Sequence, residues 1–198
     1  MPRLAWRAAS VLFLVLTLTA GTPAVAADPA AFVKGVGEDV VGALKANPPS
    51  SAPRKEKLRS ILNQVFDTRG IAEFVVGRHW ARLSEDERRR YLALFPAYVA
   101  AIYASQFAEY RGQTFAVTGT RAGSSAETFV TGEIRGNGID NPIGLEFRVA
   151  QAGAAMKIRD VKVDGISMLV VKRDEFGSFL SRETPAKLLE LMQSVIDN

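Results

Sequence analysis

A change of hydrophobic period at Gly112 constrains this chain more than any other feature. Up to Tyr110 the apolar residues recur every three or four positions, from Gln113 to Gly165 every second one, and beyond Gly165 the helical spacing returns. Neither a helical bundle nor a β-sandwich accommodates that order. Helices, then strands joined by short turns, then helices again predict an α+β fold: a curved antiparallel sheet of about four strands with several helices packed on one face.

The helical part divides at its caps. Residues 28–46 form a first helix, with Asp28 as cap, Pro29 at the first position and a stripe of Phe32, Val33, Val36, Val40 and Leu44. The stiff run "NPPSSAP" ends it. Residues 54–66 make a second amphipathic helix through Leu58, Ile61, Leu62 and Val65, and Asp67 caps a third that runs to about Trp80. Ser84 and Glu87 form a capping box for a long helix over about 84–110, roughly 40 Å at 1.5 Å per residue. Its apolar face is wide, and Pro96 inside it predicts a bend.

Four strands are expected in "QTFAVTGT", "AETFVTGEIRG", "NPIGLEFRVAQ" and "AAMKIRDVKVDG". In the last, Met156 and Ile158 share one parity and Val161 and Val163 the other, so a bulge near Arg159-Asp160 is predicted. A helical segment to about Ser181 and a final helix capped by Thr184, with Pro185 at its first position, close the chain.

The N-terminus sets the compartment. Arg3 and Arg7 precede the apolar stretch "AASVLFLVLTLTAG" and the small-residue pattern Ala24-Val25-Ala26, the organisation of a secretory signal peptide over residues 1–26. The expected mature unit is one soluble exported domain, residues 27–198, in a bacterial periplasm. The formal charge falls from +4 once Arg3 and Arg7 leave, which weakens any nucleic-acid reading. There is no cysteine, hence no disulfide framework and no thiolate metal site. No later segment reads as apolar enough to cross a membrane.

Chemistry is sparse. A metal needs converging ligands, and one histidine without cysteine leaves only carboxylates at spacings unlike a calcium loop. No G-x-S-x-G elbow is present, and His79, between Arg78 and Trp80, reads as a surface or helix-end residue. The more serious enzyme candidate is Asp160 or Asp164, since an Asp in the apolar pocket of a cone-shaped fold can act as a general base. Against it, Asp160 has Lys157, Arg159 and Lys162 nearby, and Asp164 precedes Gly165 in a turn pair. The basic residues Arg54, Lys55, Lys57, Arg59 and Arg88-Arg89-Arg90 alternate with acids and read as solvated helix faces, or else as a positive rim for an anionic partner. What stands out is abundant aromatic and apolar surface, which suits either an ordinary core or a cavity between sheet and helices.

Several ordered segments carry a resemblance. "FDTRGIAEFVVGRHWARLSEDERRRYLALF", "YRGQTF" and "DVKVDGISMLVVKRDEFGSFL" are similar to the periplasmic phospholipid-carrier family. That family includes the MlaC-type component of the Mla lipid-trafficking system, the toluene-tolerance proteins and a hopanoid-associated branch. The matched residues are Phe66-Asp67, Ala72, Gly77, Trp80, Ser84, Phe95, Tyr110, Gly112, Asp160-Val161, Gly165-Ile166-Ser167-Met168, Arg173 and Phe176; Pro96 and the short tail depart from the pattern.

The resemblance implies a sheet like the nuclear-transport-factor-like cone and a deep apolar pocket for acyl chains. It implies phospholipid as ligand, with a hopanoid or other polycyclic lipid as alternative, and no catalytic residue, metal or cofactor. The implied partners are an inner-membrane ABC transporter complex with its anchored lipid-binding subunit, and an outer-membrane lipoprotein–porin complex. Expected pocket residues before the strands are Phe66, Ile71, Phe74, Val75, Trp80, Phe95, Tyr98, Val99, Ile102 and Tyr103. From the strands and beyond come Phe115, Val117, Phe129, Ile143, Leu145, Phe147, Val149 and Met168.

Overall fold

A computed structural model describes residues 28–49, 51–124, 126–153 and 155–197; the expected signal peptide lies outside them. Helix α1 spans Pro29–Ala46, its first turn held by Asp28 Oδ1, which accepts from Ala30 N at 2.9 Å. Helix α2, Ala52–Val65, starts two residues before the expected Arg54 because Ser51, not a later residue, is its cap. Helix α3, Thr68–Val76, is capped by Asp67 as expected but stops short of Trp80. Gly77 takes a φ of +52°, which a side chain disfavours, and the chain tightens into a 3-10 helix over Gly77–Arg82.

Helix α4, Glu85–Gln106, carries both arms of its capping box: Ser84 Oγ accepts from Glu87 N, and Glu87 Oε2 accepts from Ser84 N at 2.8 Å. Pro96 lies inside it. By length and composition α4 could cross a bilayer, contrary to the expectation for this region. It is a core helix here, with Tyr91, Phe95, Ala100, Ala101 and Ala104 buried. Helices α5, Met168–Leu180, and α6, Pro185–Asp197, complete the chain, Thr184 Oγ1 accepting from Lys187 N as the cap of α6.

Strands β1 (Thr114–Ala122), β2 (Glu127–Arg135), β3 (Ile143–Ala152), β4 (Ala155–Val163) and the two-residue β5 (Ile166–Ser167) form one open antiparallel meander in chain order. The predicted bulge is present. Arg148 faces Asp160 and Val149 faces Ile158, which leaves Arg159 without a partner and restores apolar parity. A second bulge at Thr118, between Val117 opposite Gly132 and Gly119 opposite Thr131, was not visible in the threonine-rich sequence of β1. Beyond β4 the sheet edge meets the α2–α3 junction, where Asp67 N donates to Ile158 O at 3.0 Å.

Two apolar cores result. One gathers α3, α4, α5 and α6 around Val75, Tyr91, Phe95, Phe176, Leu180, Leu188 and Met192. The other gathers α1, α2, the C-terminal half of α4 and the sheet around Val33, Leu58, Ile61, Ala104, Val130, Val149 and Ile158. Helix α1 approaches β1 closely because Gly37 and Gly132 leave room for the Phe115 ring; a Cβ at either would lie under 3 Å from it. Helix α4 serves both cores, and its close backbone neighbours are α2 and α6 rather than the strands.

One polar device locks the second core. The α1 helix runs into Asn47-Pro48-Pro49, and prolines offer no N–H to its last carbonyls. Arg54, only 3% exposed, supplies the missing donors. Its guanidinium donates to Leu44 O at 2.7 Å, to Asn47 O at 2.5 and 3.0 Å, and to Phe107 O at 3.2 Å. A residue read as part of a solvated face thus ties the ends of α1 and α4 to α2.

Candidate functional site

The helix-facing side of the sheet carries Phe115 and Val117 on β1, Val130 and Ile134 on β2, Ile143, Leu145, Phe147 and Val149 on β3, and Ile158, Val161 and Val163 on β4, as the register requires. Helix α4 turns Ala100 and Ala104 toward this sheet-side core and Tyr98, Val99 and Ile102 toward the helical one. These elements do not merge into one core. Among the expected pocket residues, Val75, Phe95 and Tyr98 are buried in the helical core, with Ile71, Trp80, Val99 and Ile102 packed against it. Val149 is buried in the sheet core, with Phe66, Phe115, Val117 and Phe147 packed against it. Ile143, Leu145, Tyr103 and Met168 are half-buried and belong to neither cluster. Ile143 and Leu145 lie on β3, Tyr103 on α4 and Met168 at the start of α5.

Two expected residues do not join them. Phe129 pairs with Arg148 and Arg121 on the opposite face of the sheet, where the Arg121 guanidinium lies 4.2 Å from its ring centroid and Lys162 Nζ 5.9 Å. Adjacent apolar residues Phe129 and Val130 gave the sequence no parity signal, and the register turns Val130 inward. Phe74 is 39% exposed, on the far side of α3 from Ala72, Val75 and Val76, under the Arg173 guanidinium at 4.4 Å.

Polar groups that the sequence did not single out lie near Tyr98 and Tyr103. Burial first, then the Glu175 carboxylate, raises the pKa of Tyr98; burial, Glu175 and Asp160 raise that of Tyr103. Both phenols therefore stay protonated at neutral pH, available as hydrogen-bond donors. Glu175 pairs with Lys172 at 2.7 Å, the i, i+3 spacing on α5 being the one signal that could have found them.

The candidate general bases are otherwise engaged. Asp160 accepts from Ser167 Oγ at 2.7 Å and from Leu169 N at 3.2 Å, holding the start of α5. Asp164 has a φ of +47° in the β4–β5 turn and accepts from Gly144 N at 2.8 Å. Among the described residues, no group of three or more His, Asp or Glu is placed to hold a metal.

His79 lies in the last turn of the 3-10 helix, at a helix end as expected, but is 7% exposed rather than on the surface. Arg82 Nη1 lies 3.0 Å from Nδ1 and Arg78 Nε 3.3 Å from Nε2. A neutral imidazole accepts at one nitrogen only, so one arginine is bonded and the other merely abuts. Burial, then Arg78 and Arg82, lower the His79 pKa below its ordinary 6.5. The unfolded chain consequently takes up this proton first as pH falls. Stability is full above about pH 6.5 and declines as pH drops from there through the folded-state value. Thermal unfolding at pH 7.5 and 5.5 should show His79→Gln losing less between the two pH values than the parent. Identical losses in both would remove His79 from the pH response.

Comparison with known proteins agrees with this architecture. A family model described as MlaC protein matches residues 34–194. Toluene tolerance protein ttg2D of Pseudomonas putida is 27% identical over 176 residues, covering 86% of this chain and 78% of that protein. A solved structure of a phospholipid-binding protein from Ralstonia solanacearum, in complex with a phospholipid, superimposes with a TM-score of 0.70 at 22% identity, over 86% of this chain and 98% of that one. At that identity the likeness is one of fold. With the family model spanning most of its length, from the middle of α1 to the last turns of α6, this chain belongs to the MlaC family.

Proposed function

We propose that the exported chain is a periplasmic phospholipid carrier, one domain over residues 27–198, whose acyl-chain site is the seam between α4 and the helix-facing side of β1–β4. The observation that supports this most is the half-buried apolar set Ile143, Leu145, Tyr103 and Met168, left outside both packed cores. Within this reading acyl chains complete the cover over these side chains. Pro96 has no N–H, so the α4 hydrogen-bond ladder lacks one bond near its middle, which eases a bend of the helix over the sheet.

The physical demand on such a carrier is large. A diacyl phospholipid has roughly 30 methylenes worth about 0.8 kcal/mol each, so exposing its tails to water costs on the order of 20 kcal/mol. A site that replaces bilayer hydrocarbon with Leu, Ile, Val and aromatic side chains removes that barrier with no bond made or broken. The phenols of Tyr98 and Tyr103 and the Lys172–Glu175 pair offer donors and charge where the glycerol and headgroup would lie. Within this reading the chain receives and delivers lipid at an inner-membrane ABC-type complex with a membrane-anchored lipid-binding subunit and at an outer-membrane lipoprotein–porin complex.

Transfer is the test. The purified mature chain should move a fluorescent phosphatidylglycerol between two separated vesicle populations at a rate proportional to protein concentration. Transfer no faster than in buffer, with folded protein, would contradict a carrying role.

A further inference from the structure

We infer that a second, polar site lies at the opposite end of α1: an oxyanion site for a phosphate-class ligand, built by Arg54, Tyr110 and Lys45. A depression of about 520 Å³ opens there, its wall including Lys45, Asn47, Pro48, Pro49, Arg54 and Tyr110. No aspartate or glutamate lines it, and two cations do.

The case rests on hydrogen-bond donors left over. A guanidinium has five N–H groups. Arg54 uses one on Nε, two on Nη2 and one on Nη1, all for backbone carbonyls, so one Nη1 N–H has no acceptor among the described residues. The Tyr110 hydroxyl is buried and has no hydrogen-bond partner among the described residues. Both side chains line the same depression, and Phe107 O ties their elements together by accepting from Arg54 Nη1 at 3.2 Å and from the Tyr110 backbone N at 3.1 Å. A buried donor without an acceptor costs about 1–3 kcal/mol, and an acceptor supplied by a ligand recovers it.

Charge selects the ligand class. Arg54 has no carboxylate partner among the described residues, only carbonyl dipoles, and Lys45 forms no ion pair among them. Pro48 and Pro49 contribute shape but no N–H, so recognition falls to the side chains. An ionised phosphate oxygen accepts hydrogen bonds, and the group carries charge opposite to Arg54 and Lys45. A cation or a donor-only group meets repulsion. Free phosphate and the phosphate of a lipid headgroup share this chemistry. The site does not depend on the carrier reading, since it lies apart from the seam.

The test is a titration of the folded, isotope-labelled mature chain followed by amide NMR at constant ionic strength. One arm uses inorganic phosphate, the other dihexanoylphosphatidylglycerol below its micelle concentration. Saturable shifts centred on Asn47, Tyr110 and Gly112 are expected, with affinity weakened about tenfold in Tyr110→Phe and several-fold in Lys45→Ala. Tyr110→Phe removes only a hydroxyl that is unpaired among the described residues, so the fold survives it. Saturation with phosphate identifies a free-anion site, and saturation with the short lipid alone identifies the headgroup as the source; either supports the inference provided that Tyr110→Phe weakens it. Absence of saturation in both arms, or unchanged affinity in Tyr110→Phe, overturns it.

Discussion

Arg54→Met is expected to lower the unfolding free energy by about 3–4 kcal/mol, read as a drop in the urea midpoint with an unchanged slope. Two carbonyls at the end of α1, those of Leu44 and Asn47, would lose the side-chain donors seen among the described residues, while Phe107 O would keep the Tyr110 backbone N–H. Leaving such groups unpaired costs about 1–3 kcal/mol each, offset in part by the apolar contacts a methionine of similar length retains. For a domain whose whole stability is about 5–15 kcal/mol, that loss is large. Arg54→Lys should recover little of it, because one ammonium does not span three acceptors set around a planar fork. A loss below about 1 kcal/mol in Arg54→Met would show that the helix ends find other partners.

This residue also marks where sequence reading stopped. Arg54 sits in "RKEKLR", which by composition is a solvated face, and nothing in that run distinguishes the buried cation from its neighbours. The clue lay eight residues earlier, in an α1 end followed by two prolines that offer no donors. The caps Asp28, Asp67, Ser84 and Thr184 were legible because a cap needs only a local side-chain oxygen and the N–H groups of the next turn. The Arg159 bulge was legible because apolar parity switches across it, whereas the Thr118 bulge hid among threonines that suit either face. The pocket residues were legible only as a set of apolar side chains. Which face Phe129 takes depends on pairing with β3, and which side of α3 Phe74 takes depends on where α5 docks.

Leu145→Arg should cut the amount of lipid that copurifies with the folded protein at least tenfold. Leu145 lies on the helix-facing side of β3, opposite Gly132 and Val163, outside both packed cores. A guanidinium there does little harm to the empty protein, since its long stem can carry the charge toward solvent along the seam. Against acyl chains it is different, because burying an unpaired charge beside hydrocarbon costs several kcal/mol, and each 1.4 kcal/mol is tenfold in occupancy. The melting temperature should stay within a few degrees of the parent. Phe129→Ala, on the other face of the same sheet, is the matched control and should leave lipid content unchanged. Loss in the control together with retention in Leu145→Arg would put the hydrocarbon on the wrong side of the sheet.

Native mass spectrometry of the mature chain, purified from a bacterial periplasm without detergent, followed by solvent extraction and identification of whatever it releases, goes to the central claim most directly. The expected result is a population heavier than the polypeptide by the mass of one diacyl phospholipid, with that lipid recovered in the extract. A protein of bare polypeptide mass that also stays empty when incubated with phospholipid vesicles, or one that yields a polycyclic lipid in place of a diacyl one, would contradict it.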